Sequence, residues 1–239
     1  MNPLRAQIAS YIPFSWVDGP GNRFVLFFQG CNFDCLACHN PQTIPLSSTH
    51  AEFLSIAEVM DRIRESMPYI SGVTVSGGEA TLQHQFIYEL FLAIKRSPDL
   101  KRLTTFIDSN GSCTQSVWEK LRPVTDGVML DLKVLDNAAH IALTGQENGA
   151  VLDSIRFLAS VGLLYEVRLL LVPGQNDSEG ELIKTAQWLL GVDPKMRIKI
   201  NSFMIHGVRS PASHWGDATE VDLLRYRKTL LDAGVANLI

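Results

Sequence analysis

The feature that most limits what this chain can fold into is an alternation of short apolar runs with segments of helical periodicity. The runs predict six strands, at residues 24–29, 72–76, 103–108, 127–133, 166–172 and 197–203. Each strand is followed by a predicted helix, at residues 53–67, 83–96, 115–121, 150–161, 179–190 and 220–233. Buried strands that alternate with helices are typical of a parallel sheet with right-handed crossovers. We therefore predict an α/β fold, although periodicity alone does not separate an open sheet from a barrel or partial barrel.

A cysteine-rich segment follows the first predicted strand, at the strand end where α/β barrel enzymes build their active sites. This cysteine segment, residues 30–40, reads GCNFDCLACHN and holds three of the chain's four cysteines with C-x3-C-x2-C spacing. Closely spaced thiolates are the ligands that hold iron-sulfur clusters. Three protein ligands leave one iron of a [4Fe-4S] cube open to a small molecule. The sequence therefore predicts one [4Fe-4S] cluster on Cys31, Cys35 and Cys38.

Other uses of these cysteines stay open at this level. A disulfide is disfavoured because the chain shows no secretory signal. A structural zinc site usually adds a second Cys or His pair roughly twelve or more residues later, and none follows, although Cys113 or His39 could complete four ligands. A non-catalytic electron-transfer or zinc module closed by all four cysteines is the alternative, and it predicts metal binding that depends on Cys113.

Composition excludes several other classes of protein. The 239 residues are 46% hydrophobic, which suffices for a core, and the net charge of −4 lacks the basic footprint of a nucleic-acid-binding protein. No apolar run approaches the roughly 18 residues that span a bilayer, and cysteines kept as thiolates indicate a reducing compartment. We expect a single domain over residues 1–239, cytoplasmic, that binds neither nucleic acid nor membrane. His84, His140 and His214 are expected on the surface or in loops.

Flanking motifs give the cysteine segment a family resemblance. Residues 17–23 read VDGPGNR before it, and residues 38–41 read CHNP at its end. Together with the cysteine spacing they resemble the radical S-adenosylmethionine (SAM) superfamily and, within it, the glycyl-radical-enzyme activating enzymes related to pyruvate formate-lyase activating enzyme. YIPFS at residues 11–15 and DSNG at residues 108–111 are similar to YjjW-type activases. The resemblance extends from about residue 8 to about residue 215.

The resemblance implies a (β/α)6 partial TIM barrel and a role in anaerobic metabolism. It implies that SAM is cleaved reductively at the cluster to methionine and a 5′-deoxyadenosyl radical, which takes a hydrogen atom from a glycine of a partner. The partner would be a glycyl radical enzyme, for example a YjjI-like one, and the reductant a flavodoxin or ferredoxin. Residues 41–55 contain no cysteine, so we expect one cluster and no ferredoxin-like insert. A small-molecule enzyme similar to a deazapurine carboxylate synthase is the alternative, which the DGPG and CHNP segments disfavour.

The resemblance also implies roles for individual residues. Those expected to bind SAM are Ala37, His39, Gly77, Gly78, Glu79, Asp131, Leu132, Lys133, Arg168, Met204 and His206. A monovalent cation, Na⁺ or K⁺, would bind Asp108, Ser109, Asp131 and the Met129 carbonyl. The lip that admits the partner loop would comprise Asp18, Gly19, Pro20, Gly21 and Arg23.

Structural explanations compete for several of these residues. Gly77 and Gly78 also fit an ordinary tight turn. A structural ion pair with Asp131 or Asp108 would explain Lys133, and one with Glu166 would explain Arg168. Two positions depart from the family pattern: Ala37 stands where an aromatic residue is usual, and Met204 where the prototype has a histidine.

Overall fold

The computed structural model describes residues 4–239 and divides into two compact units. The first unit runs to Asn32 and adds Gln42–Ser109 and Cys113–Met129. The second comprises Phe33–Pro41, Asn110–Ser112 and Leu130–Ile239. Among the described residues, no helix combines the length and the apolar character that crossing a membrane requires.

The first unit contains five strands and three α-helices. The strands are β1 (Arg5–Ser15), β2 (Arg23–Phe28), β3 (Glu52–Ser55), β4 (Gly72–Gly77) and β5 (Thr104–Ser109). The helices are α1 (Ile56–Ser66), α2 (His84–Arg96) and α3 (Gln115–Leu121). The strand order is β3-β1-β2-β4-β5, in which β1 is antiparallel to both neighbours and the rest are parallel.

The parallel register of β2 and β4 determines where the next segments begin. The two strands pair from Arg23 with Gly72 to Phe28 with Gly77, so they end level with each other. Most side chains of both strands are buried, as the continuous apolar run of β2 predicts for that strand. The segments after the two strands therefore start side by side.

Strand β6 (Gly127–Leu132) has residues in both units, which divide after Met129. The second unit continues with β7 (Leu164–Leu171) and β8 (Ile198–Ser202), and its strand order is β6-β7-β8, with β7 and β8 parallel. Its helices are α4 (Asn137–Thr144), α5 (Gly149–Ser160), α6 (Glu179–Val192) and α7 (Glu220–Asp232).

The structure confirms the six predicted strands and all the predicted helices but one to within two residues at each end. The helix predicted at residues 53–67 is wrong at its start, because residues 52–55 form β3 and pair with Arg5–Ile8 of β1. Ser55 then caps α1, accepting a hydrogen bond from Glu58 N while the Glu58 side chain accepts from Ser55 N at 2.7 Å. Strand β1 was not predicted.

Helix α4 was also not predicted. The Asp136 side chain caps its start, and Gly145, with φ of +77°, ends it. His140 lies on this helix and is fully buried, which corrects the expectation that it lies on the surface or in a loop.

Candidate cluster and SAM site

The first part of the cysteine segment, Gly30 to Asn32, belongs to the first unit. Gly30 adopts a φ of +100°, which favours glycine, as the chain leaves β2. Gly30 N donates to Thr43 O at 2.9 Å, and Cys31 N donates to Ile44 O at 3.0 Å. Backbone hydrogen bonds therefore fix the first cysteine, which forms no disulfide and is partly buried.

The second part, Phe33–Pro41, belongs to the second unit, where the end of α4 holds it. Asp34 N donates to Thr144 O and Leu36 N to Leu143 O, both at 2.9 Å. Cys38 N donates to Cys35 O at 3.3 Å and closes the turn between the second and third cysteines. Neither of these two cysteines forms a disulfide, and both are partly buried. Local hydrogen bonds therefore shape the turn that carries them.

The fourth cysteine differs in its surroundings. Burial raises the pKa of the Cys113 thiol, and the charge of Glu79 raises it further, so Cys113 stays protonated. Metals are bound by thiolates. This disfavours the alternative in which all four cysteines close one site.

No group of three or more His, Cys, Asp or Glu side chains among residues 4–239 is arranged to hold a metal ion. The assignment of Cys31, Cys35 and Cys38 therefore depends on the chemistry of three cysteines in this spacing, none of which forms a disulfide.

The Gly77-Gly78-Glu79 segment begins at the last residue of β4, and hydrogen bonds join it to the end of β2 and the start of the cysteine segment. Gly78 N donates to Phe28 O at 3.0 Å, and Glu79 N donates to Gly30 O at 2.8 Å. A Cβ on Gly77 would lie 2.2 Å from Phe28 N, and one on Gly78 would lie 2.2 Å from Gly30 O. Glycine is thus required at both positions by the chain's own backbone.

The Glu79 carboxylate is only 1% exposed and is held by hydroxyl and amide donors. Its Oε1 accepts from Thr81 N at 2.9 Å, Thr81 Oγ1 at 2.6 Å and Ser109 Oγ at 2.8 Å. Nearby on β5, the Asp108 carboxylate accepts from Ser76 Oγ at 2.8 Å. Thr81, which the sequence did not single out, therefore fixes the orientation of Glu79, the residue predicted to bind SAM.

Two ion pairs of the second unit involve residues predicted to bind SAM. Lys133, just beyond the end of β6, lies 2.7 Å from Asp131, and its backbone carbonyl accepts from Asn176 Nδ2 at 2.8 Å. Arg168 and Glu166 form a pair at 2.8 Å, and their side chains are only 7% and 4% exposed. The ion pairs proposed as structural explanations are therefore present.

Met204, a predicted SAM residue just after β8, contacts the cysteine segment through His39. Its Nε2 lies 2.8 Å from Met204 O, and its ring stacks on Phe203 with centroids 5.9 Å apart. Ala37 is buried in the same apolar cluster as Phe203, while Met204 is 55% exposed.

The segment predicted to receive the partner requires one correction, because Arg23 is fully buried and cannot contact a partner directly. Its guanidinium bonds Thr74 and Thr104 within the first unit. Residues just before the segment are exposed and apolar: Trp16 is 73% and Val17 56% exposed.

Comparison with known proteins identifies the family. The model of the radical SAM superfamily matches residues 25–186. A pyruvate formate-lyase-activating enzyme of Staphylococcus aureus is 35% identical over 215 residues, which cover 86% of this chain and 84% of the relative.

Solved structures show the same fold. A domain of pyruvate-formate lyase-activating enzyme from Bacteroides vulgatus has a TM-score of 0.57 at 20% identity, covering 71% of this chain and 98% of that chain. A radical SAM methyltransferase from Sphaerobacter thermophilus has a TM-score of 0.67 at 16% identity, covering 91% of this chain and 66% of that chain.

These likenesses confirm the predicted fold class, the α/β partial barrel of radical SAM enzymes. The chain is therefore a member of the radical SAM superfamily and, within it, of the glycyl-radical-enzyme activating enzymes related to pyruvate formate-lyase-activating enzyme.

Proposed function

We propose that this chain activates a glycyl radical enzyme with a single cluster held by Cys31, Cys35 and Cys38, and that residues 1–239 act as one domain. The observation that carries the proposal is the 2.8 Å bond from Glu79 N to Gly30 O, which joins the Gly-Gly-Glu segment to the cysteine segment. The superfamily match at residues 25–186 runs through both units, which supports a single domain.

The donor set fits a [4Fe-4S] cluster, because it offers three partly exposed cysteines outside any disulfide, in a segment shaped by backbone hydrogen bonds. When bound, the cluster supplies the electron that cleaves SAM to methionine and a 5′-deoxyadenosyl radical. That radical takes a hydrogen atom from a glycine of the partner enzyme. The protein binds and orients the reactants and excludes water.

We assign the SAM amino group to the Gly77-Gly78-Glu79 segment, because Glu79 is buried and its orientation is fixed. The remaining SAM assignments are Ala37, His39, Asp131, Leu132, Lys133, Arg168, Met204 and His206. Of these, Arg168 donates from its Nε to Glu166 in a buried ion pair, which fixes the direction of the guanidinium. Na⁺ or K⁺ on Asp108, Ser109, Asp131 and the Met129 carbonyl would add a hard cation with oxygen ligands.

We propose that the partner loop meets the chain at Asp18, Gly19, Pro20 and Gly21, beside the exposed Trp16. An exposed tryptophan suits a protein contact because its large ring buries much apolar area. The partner class is a glycyl radical enzyme, for example a YjjI-like one, and a flavodoxin or ferredoxin supplies the electron. Four cysteines outside any disulfide fit a cytoplasmic location.

The test is anaerobic reconstitution with iron and sulfide, followed by EPR of the dithionite-reduced protein with and without SAM. We expect a [4Fe-4S]⁺ signal that changes when SAM is added, together with released 5′-deoxyadenosine. Cys35→Ser should lose the four-iron signal, whereas Cys113→Ser, the matched control, should keep it. A four-iron signal indifferent to SAM would refute the proposal.

A further inference from the structure

The chain after β8 contacts the second half of the cysteine segment at two points. Both contacts lie within the second unit, between residues 203–209 and residues 34–39. One contact is made by Arg209 and the other by His39. We call residues 203–209 the clasp segment.

Arg209 binds the turn that carries Cys35 and Cys38. Its Nη2 lies 2.6 Å from the Asp34 carboxylate and donates to the backbone carbonyls of Asp34 at 3.1 Å and Cys35 at 3.2 Å. The Cys35 carbonyl is also the acceptor for Cys38 N. One guanidinium therefore holds the two peptide groups on either side of Cys35, at the start of the turn that leads to Cys38.

The position of Arg209 is costly, which indicates that its contacts matter. Its Nε is buried and has no hydrogen-bond partner among the described residues. Leaving a buried donor unsatisfied is unfavourable. The bonds from Nη2 to the cysteine segment offset this cost.

The second contact holds the clasp segment close to the third cysteine. His39, next to Cys38, stacks on Phe203 and bonds the Met204 carbonyl. Gly207 has a φ of +82°, and a Cβ there would lie 2.9 Å from His39 O. Only glycine allows the chain to pass so close to the His39 carbonyl. The clasp segment then continues to Arg209, which lies against the turn.

We propose that Arg209 is a positioning residue for the cluster: it holds the turn between Cys35 and Cys38 in the conformation that presents both thiols to the metal. This inference depends on the proposed function. Arg209 is not a ligand, and it acts through the backbone carbonyls. A guanidinium suits this task because it is always charged and its planar group holds Nη2 in a fixed direction.

The test is the rate at which a ferrous chelator removes iron from the anaerobically reconstituted full-length protein, a readout separate from enzyme activity. We expect Arg209→Ala to release iron about tenfold faster than the wild type, since several hydrogen bonds that order the turn are lost. Arg209→Lys should fall between the two, because an ammonium keeps the charge but not the planar geometry that aims Nη2 at its three acceptors. Arg156→Ala, which breaks an exposed pair with Asp153, is the control and should match the wild type.

The outcomes separate this inference from the proposed function. A wild-type protein without four irons per chain would overturn the proposed function. A wild-type protein with four irons, and an Arg209→Ala variant that releases them at the wild-type rate, would overturn only the role of Arg209. If the alanine variant does not fold, Arg209→Lys becomes the test. Release of iron from the lysine variant at the wild-type rate would then overturn the positioning role of the guanidinium.

Discussion

Replacing Arg23 by methionine should destabilise the first unit strongly. The Arg23 side chain is fully buried, and four of its bonds are 3.1 Å or shorter: to Thr74 Oγ1, Thr104 Oγ1, Thr104 O and Val73 O. The guanidinium also lies 4.7 Å from the centre of the Phe106 ring. Methionine has similar length but offers none of these donors.

The size of the loss follows from these contacts. A hydrogen bond from a charged donor contributes about 1.5–3 kcal/mol, but returning the guanidinium to water offsets much of the sum. We therefore expect a net loss of about 3 kcal/mol in the free energy of unfolding, within the range for breaking a buried charged network. In a chain of this size, each kcal/mol lowers Tm by roughly 2–4 °C, so Tm should fall by about 6–12 °C.

The assay is thermal and urea unfolding of the metal-free protein, followed by circular dichroism. Arg96→Met is the matched control, because Arg96 is exposed at the end of α2, and it should change the free energy by less than about 0.5 kcal/mol. A Tm for Arg23→Met within 2 °C of the wild type would refute the reasoning, since the buried contacts would then contribute almost nothing.

Three further predictions address the site and its surroundings. Cys113→Ala should leave the iron bound per chain unchanged, because burial raises the pKa of this thiol and keeps it protonated; a loss of iron, measured colorimetrically, would contradict this. Thr81→Val removes the hydroxyl that donates to Glu79 at 2.6 Å, so SAM binding measured by calorimetry should weaken about three- to tenfold. Thr81→Ser keeps a hydroxyl and should stay close to the wild type. Equal SAM affinities of the valine variant and the wild type would count against the role of Thr81. Burial lowers the pKa of His140, so the unfolded chain binds a proton that the folded chain does not. The stability contributed by neutral His140 is complete above the ordinary histidine pKa of about 6.5 and is lost as the pH falls below it. Stability measured by urea unfolding should therefore decline less steeply between about pH 7.5 and 5.5 in His140→Gln than in the wild type.

Local sequence signals predicted the parts of the fold that depend on neighbouring residues. Strands β2 and β4 were predicted from short local segments, and both are buried almost throughout. The cysteine spacing and the two glycines were recognised because each motif lies in one short segment. Strand β1 was missed because Pro13 interrupts its pattern and residues such as Phe14 point apolar surface outward, at 40% exposure.

The missed features depend on contacts that are distant in sequence. Arg23 looked like part of a partner-binding motif, but its acceptors Thr74 and Thr104 lie 51 and 81 residues away. Arg209 carried no local signal at all, because its partner Cys35 is 174 residues earlier. Helix α4 has only eight residues, too few for a clear period, although Asp136 at its start offers a cap.

The sequence separation of the clasp segment has a consequence for the order in which the protein is made. Cys35 leaves the ribosome 174 residues before Arg209, and His39 leaves it 165 residues before Met204. At roughly 5–20 residues per second, that delay is about 10–35 s. During this time the turn between Cys35 and Cys38 lacks both of its C-terminal contacts, and its thiols are open to oxidation. We therefore expect iron to be loaded after translation is nearly complete, and the yield of iron-loaded protein to depend on how reducing the cell is during synthesis.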